Sequence, residues 1–283
     1  MRDNQARWNW EIKPETTWLG SNFRELLSYK DLLFRLVRKE FLKSYQQTLL
    51  GPFWVLLQPI LTVITYVVVF NKVIGFPTDG VPSFLFYLTG ITLWNLFSEL
   101  FLNTSSTFQQ NLAIFSKVYF PRILAPLSML LLSGIRFLIQ LLFLMIVLLY
   151  CYFTNKVELH LSHIYLIIPV IAITIGIGFG AGLIFSVFTV KYKDLNNVMQ
   201  LFIRLFMFIC PIFYSLSMVP EAKKWMVNLN PLSAQFESFR YAILGKGQIS
   251  FSQLLYSTGF MMLIVVAGVL IFNKISDKLM DIA

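Results

Sequence analysis

The sequence predicts an all-α integral membrane protein with six transmembrane helices, and three observations carry that prediction. Of its 283 residues, 57% are hydrophobic and only 13% charged, where a soluble domain carries about a quarter charged residues. Apolar stretches of roughly 20 residues or more recur along nearly the whole chain, each long enough for a hydrocarbon core about 30 Å thick. Nine of the basic residues (Arg2, Arg7, Lys13, Arg24, Lys30, Arg35, Arg38, Lys39 and Lys43) precede the first such stretch. That placement is the cytoplasmic charge excess of a membrane protein. It accounts for the net charge of +9 without a nucleic-acid partner.

Residues 1–28 are polar and carry Trp8, Trp10 and Trp18, a composition suited to a headgroup surface or to docking on a partner. From Ser28 the pattern turns helical. Ser28 and Asp31 resemble a capping box, and Leu33, Leu36, Val37, Phe41 and Tyr45 recur at helical spacing, with Arg35, Arg38, Lys39 and Lys43 on the opposite face. The expectation is a basic amphipathic helix of about 21 residues lying in the cytoplasmic interface. Gly51 ends it and Pro52 starts the next helix.

The predicted spans are 52–75, 81–102, 124–153, 164–190, 196–216 and 252–273. An even number puts both termini on one side. With that side cytoplasmic, Lys117, Arg122, Lys191, Lys193, Lys274 and Lys278 join the inner charges, while Lys156, Lys223, Lys224, Arg240 and Lys246 lie outside. Within the last outer loop, 217–251, Pro220 to Asn228 and Ser233 to Leu244 are short amphipathic pieces broken at Asn230-Pro231 and ended by Gly245. Each is too short to span, so the expectation is a re-entrant helical hairpin between spans five and six. The organisation is then a cytoplasmic N-terminal segment, 1–51, a six-span permease domain, 52–273, and a cytoplasmic tail, 274–283. No secretory leader pattern and no internal repeat stand out.

The chemistry-bearing motifs are few. No G-x-x-x-x-G-K-[ST] phosphate loop occurs, so any ATP is handled by a partner. The glycines 176, 178, 180 and 182 sit inside span four at spacings that let helix backbones approach. Intramembrane charge is limited to Glu99, Arg136, Arg204 and Lys72. The two arginines either snorkel or pair, with a carbonyl or Glu99 as partner, or they meet a phosphate or acidic group of a passing substrate. Trp54, Tyr66, Phe70, Tyr87, Trp94, Phe213 and Tyr214 are candidates for a path on which sugar rings stack; the other aromatics read as belts and packing. Cys151 and Cys210 read as packing residues, and His160, His163 and Glu158 as a solvated turn. No nucleophile has a partnered base, so a catalytic role has no residues to stand on, and no metal site or bound cofactor is expected.

Three stretches together resemble the membrane-spanning permeases of ABC exporters for O-antigen, capsule and teichoic-acid polysaccharides. They are Val37-Arg38-Lys39-Glu40-Phe41 with Tyr45, Leu50-Gly51-Pro52-Phe53-Trp54 and Gln58-Pro59; Lys117-Val118-Tyr119-Phe120-Pro121-Arg122 with Ala125-Pro126-Leu127-Ser128; and Tyr192-Lys193-Asp194-Leu195 with Pro211-Ile212-Phe213-Tyr214 and Asn230-Pro231-Leu232. The resemblance runs in order along nearly the whole chain. It implies a homodimer of six-span subunits in the bacterial plasma membrane, two copies of a separate ATPase that binds ATP and Mg, and a glycan on polyprenyl pyrophosphate as cargo. It also implies that segments 103–123 and 191–196 transmit ATPase motion, with Phe115, Lys117, Tyr119, Phe120 and Arg122 at one contact and Tyr192, Lys193 and Asp194 at the other. Arg204 and the three-tryptophan leader depart from that pattern. Competing readings are an ABC permease for a drug or small lipid, a membrane glycan polymerase or ligase, and a solute carrier without ATP.

Overall fold

The computed structural model describes residues 23–115, 120–158, 161–192, 194–247 and 249–279. Trp8, Trp10, Trp18, Lys117, Tyr119, His160 and Lys193 lie outside the described residues. The described chain is helical throughout: α1 (Phe23–Ser28), α2 (Lys30–Tyr45), α3 (Trp54–Tyr66), α4 (Ser83–Ser105), α5 (Thr107–Phe115), α6 (Leu124–Phe153), α7 (Ile167–Lys191), α8 (Leu195–Ile209), α9 (Glu221–Asn228), α10 (Ser233–Leu244) and α11 (Phe251–Leu279). A 3-10 turn at Gly51–Phe53 leads into α3, and wider π turns over Val67–Val73 prolong it.

Among the described residues, five helical stretches are long and apolar enough to cross a bilayer: Gly51–Val73, Ser83–Ser105, Leu124–Phe153, His163–Lys191 and Phe251–Ile275. The chain is therefore a multi-pass membrane protein. The stretch expected as span five behaves differently. Its helix, α8, covers Leu195–Ile209, 15 residues, or about 22 Å at 1.5 Å per residue. Pro211 is the cause, because proline disfavours helical backbone in the residue before it. Cys210 accordingly turns extended, with φ −78° and ψ 145°. The last helix, α11, runs past 273 to Leu279, while its apolar stretch ends at Ile275.

Helix α2, at 16 residues, is shorter than the expected length of about 21. Leu36 and Val37 are buried, and Arg35, Arg38, Lys39 and Lys43 stay exposed. The helix starts after a break at Tyr29, which replaces Ser28 at the cap position without a side-chain cap bond. It ends at Tyr45, so Gly51 (φ +54°) serves the following turn rather than the helix end. That left-handed backbone suits glycine. The apolar face of α2 docks on α6.

At the centre lies α4, enclosed by α3, α6, α7, α8 and α10, while α11 packs along α7. The glycine run of α7 makes both contacts. Gly180 meets the backbone of Ile264 and Val265 on α11, while Gly178 and Gly182 meet Phe97, Phe101 and Thr104 on α4. A Cβ at Gly180 would sit 2.8 Å from the Ile264 and Val265 backbone, whereas one at Gly134 on α6 would meet nothing within 4 Å. Overpacking of this kind costs about 1–3 kcal/mol. Gly180→Ala is therefore expected to lower the thermal midpoint of the detergent-purified protein by several degrees. Gly134→Ala, which removes only unfolded-chain freedom, should leave it level or raise it.

Candidate translocation site

At the α2 end of the bundle a cavity of about 370 Å³ opens between α2, α3, α4 and α6. Its polarity comes from helix faces that meet there. Trp54 and Gln58 come from α3, Asn95, Ser98 and Glu99 from α4, Arg136 and Gln140 from α6, and Ser44 and Tyr45 from the end of α2. Arg136 pairs with Glu99, Nη1 to Oε2 at 3.4 Å, and its Nη2 donates to Ser44 Oγ at 3.0 Å. The guanidinium also lies 5.5 Å from the Tyr45 ring centroid. Asn95 Nδ2 donates to Gln140 Oε1 at 3.1 Å, which fixes the next turn. Burial raises the Tyr45 phenol above its usual range, with Arg136 pulling the other way, so the hydroxyl stays protonated at neutral pH. The arrangement offers a cation, a carboxylate, amides and an exposed indole in one space, the mixture that holds phosphates and sugar hydroxyls.

The aromatic candidates separate into groups. Tyr66 and Phe70 close on Phe213, with ring centroids 4.8 Å and 4.4 Å away, and Phe208 joins them at 5.3 Å. One helix over, Trp94 lies 6.2 Å from Phe206, which stacks on Phe202 at 5.4 Å. Trp54 stands apart at the cavity. Tyr87 is enclosed in the core and Phe213 and Trp94 are buried, while the Tyr214 hydroxyl donates to the Ile209 carbonyl at 3.1 Å. Tyr66 and Phe70 are half-buried and Phe208 is exposed, and Arg204, also exposed, stands one helical turn before Phe208 on α8.

The α10 end holds the group that sequence reasoning missed. Arg240, counted as an outer-loop charge, is buried together with Glu237, both side chains 1% exposed and bonded at 2.8 Å. Its Nη2 donates to the Pro211 carbonyl at 2.8 Å, and its guanidinium lies 4.0 Å over the Phe86 ring. Glu237 Oε1 accepts the Leu216 amide at 3.3 Å. The Asn230-Pro231-Leu232 stretch serves the same end: Asn230 accepts the Leu232 amide at 3.0 Å and donates to Cys210 Sγ at 3.3 Å. His163 is not in a solvated turn, since its ring packs 4.7 Å from Tyr241 of α10 and shares a 3.1 Å hydrogen bond with its hydroxyl. The i, i+3 spacing of Glu237 and Arg240 on an amphipathic piece was the available signal.

The two segments expected to couple to an ATPase lie together at the α2 end. Thr189 Oγ1 donates to the Ser105 carbonyl at 2.7 Å, and Asn196 Nδ2 donates to Gln109 Oε1. Phe120 is buried in a cluster with Leu36, Phe108 and Phe272, so it anchors its loop rather than presenting a free face. Phe115 ends α5, Arg122 is half-buried, and Tyr192 and Asp194 are exposed at the α7–α8 turn.

Comparison with known proteins adds a family. Residues 31–244 match the family model described as ABC-2 type transporter. The chain belongs to that family. As an ABC-2 permease it is a transport subunit that works with an ATPase partner, and ATP hydrolysis belongs to that separate subunit. The permease is 31% identical over 255 residues to an O-antigen export system permease protein RfbA of Klebsiella pneumoniae, covering 89% of this chain and 95% of the relative. A second RfbA of that organism is 30% identical over 254 residues, with the same coverage of 89% and 95%. An RfbA of Myxococcus xanthus is 28% identical over 220 residues, covering 77% of this chain and 82% of the relative.

Breaking a buried ion pair by removing one partner costs about 3–5 kcal/mol, whereas replacing both with apolar groups costs far less. Arg240→Met in the ABC-2 permease should therefore destabilise it strongly. Adding Glu237→Leu should recover only part of the loss, since it removes the stranded charge but leaves the Pro211 carbonyl and the Leu216 amide without these partners, read as thermal midpoints in a double-mutant cycle.

Proposed function

We propose that this ABC-2 permease is the membrane subunit of an exporter that carries a lipid-linked polysaccharide, an O-antigen or similar glycan on polyprenyl pyrophosphate, across the bacterial inner membrane to its outer face. The observation that carries this is the alignment of 89% of the chain with permeases named for O-antigen export. Support from geometry comes at three points. Arg136 and the basic face of α2 bring cations to the α2 end, where a pyrophosphate headgroup would enter. Tyr66 and Phe70 offer ring faces that stack on sugars without reading their sequence. The hydrogen-bonded pair of segments around Gln109 and Asn196 gives one platform for an ATPase.

In this reading the chain makes six crossings, α8 and the turns that follow it up to 216 forming the fifth, with both termini cytoplasmic. The N-terminal segment is 1–51, the permease domain 52–273 with 217–251 as the outer re-entrant region, and the remainder a cytoplasmic end. Two copies form the path, and two ATPase subunits carry ATP and Mg beneath them. The exposed apolar faces of α3 and α8, such as Leu61, Ile64, Leu201 and Leu205, suit a second copy. ATP binding and hydrolysis open and close the ATPase dimer, and Phe115, Lys117, Tyr119, Phe120 and Arg122 with Tyr192, Lys193 and Asp194 pass that motion to the spans.

The permease should copurify with a chain bearing a phosphate-binding loop, and polymer-bearing polyprenyl pyrophosphate should stimulate the ATPase of that complex. Absence of such a partner, or an ATPase indifferent to the lipid, would overturn the reading. Cells lacking the permease should accumulate lipid-linked polymer on the inner side. Lys193→Glu should abolish surface polymer while the subunit still inserts and accumulates to normal levels.

A further inference from the structure

Helix α8 carries three chemically different faces. At about 100° per residue, Met199 and Ile203 define its packed side, and both are buried. Val198 and Leu205 lie on the far side, exposed and apolar, as a lipid or a second subunit requires. Asn197, Gln200 and Arg204 fall together in a third sector, within an arc of roughly 60°. All three are exposed. None of their side chains forms a hydrogen bond or ion pair with a described residue, whereas the adjacent Asn196 is held by Gln109. Met207, to which the Tyr66 hydroxyl of α3 donates, borders the same flank, so the polar sector adjoins the side of α8 that meets α3.

Depth sharpens the assignment. Arg204 stands nine residues into α8, about 14 Å along its axis, near the middle of a hydrocarbon core about 30 Å thick. A cation there is costly when it faces lipid and is found instead on a water-filled route. Rings of arginine or lysine on such a route favour anions. We infer that Asn197, Gln200 and Arg204 line the translocation path, and that Arg204 is a specificity-determining cation that receives an anionic group of the passing substrate. That group is either an acidic sugar or phosphodiester of the polymer, or the pyrophosphate of its lipid. The identity of the cargo rests on the function proposed above; the charged path does not.

The test uses the full transporter complex in proteoliposomes and two thiol reagents, a methanethiosulfonate bearing sulfonate and one bearing trimethylammonium. Cys151 and Cys210 are buried, so the background is low. At Gln200→Cys the sulfonate reagent should gain over the ammonium reagent by roughly tenfold, relative to their rates on a free thiol. Adding Arg204→Gln should remove that gain, Arg204→Lys should keep it, and Val198→Cys and Leu205→Cys should react slowly with both. Equal reactivity at positions 198 and 200, or a gain that survives Arg204→Gln, would overturn the inference.

A second arm reads ATPase stimulation by polyprenyl pyrophosphate carrying either a neutral glycan or one rich in uronic acid. Loss in Arg204→Gln with the acidic glycan alone places the anionic group on the polymer. Loss with both places it on the pyrophosphate, and loss with neither overturns the specificity role. If neither lipid stimulates the unaltered complex, the glycan cargo is wrong, and the thiol reagents still decide whether this flank is an anion-attracting path.

Discussion

The structure depends on how the backbone is satisfied where α8 stops. Residues 210–216 leave the helix beside membrane-spanning neighbours, and non-helical backbone at such depth survives only when protein or water completes its hydrogen bonds. The chain supplies protein. Arg240 donates to the Pro211 carbonyl, Glu237 receives the Leu216 amide, and Asn230 reaches Cys210. These contacts come from α10 and the turn before it, so α10, though too short to span, has a structural role at this end. Helix α11 then holds the turn, through Ser257 to the Pro231 carbonyl and Tyr256 to the Leu229 carbonyl.

The two arginine–glutamate pairs show how environment divides labour between the ends. Arg240 and Glu237 are sealed, each 1% exposed, and bonded at 2.8 Å; Arg136 and Glu99 are 17% and 32% exposed and sit 3.4 Å apart. A sealed pair is costly to separate because each charge would be stranded in a poor solvent. A half-open pair beside a cavity can exchange one partner for an incoming anion. The first therefore suits a brace and the second a receptive surface, although both use the same residue types.

Much of this was legible in the sequence, where periodicity or spacing is the signal. The short pieces at Glu221–Asn228 and Ser233–Leu244 and the packing role of glycines 176–182 follow from one-dimensional patterns, while Glu99 was one of several partners open to Arg136 and only the fold selects it. Hydropathy failed at the end of α8, because residues 210–216 are as apolar as a span yet Pro211 stops the helix. Charge counting failed at Arg240, since its partners Pro211 and Phe86 are distant in sequence. The pairing of Gln109 with Asn196 was equally hidden, because nothing in either segment names the other.

The glycine seam of α7 has a mechanical meaning. With Gly180 against the α11 backbone, and Gly178 and Gly182 against α4, three long helices touch at distances that leave no room for sliding. They behave as a stator. Helices α3 and α8 touch each other through the Tyr66–Met207 hydrogen bond and meet the bundle mainly by side-chain packing, with Gln140 to the Val55 carbonyl and Asn196 to Gln109 as the side-chain hydrogen bonds that tie them to it among the described residues. In the proposed exporter, force arriving at the Gln109–Asn196 contact would act on α8, the element that carries Arg204, against a stator that does not slide.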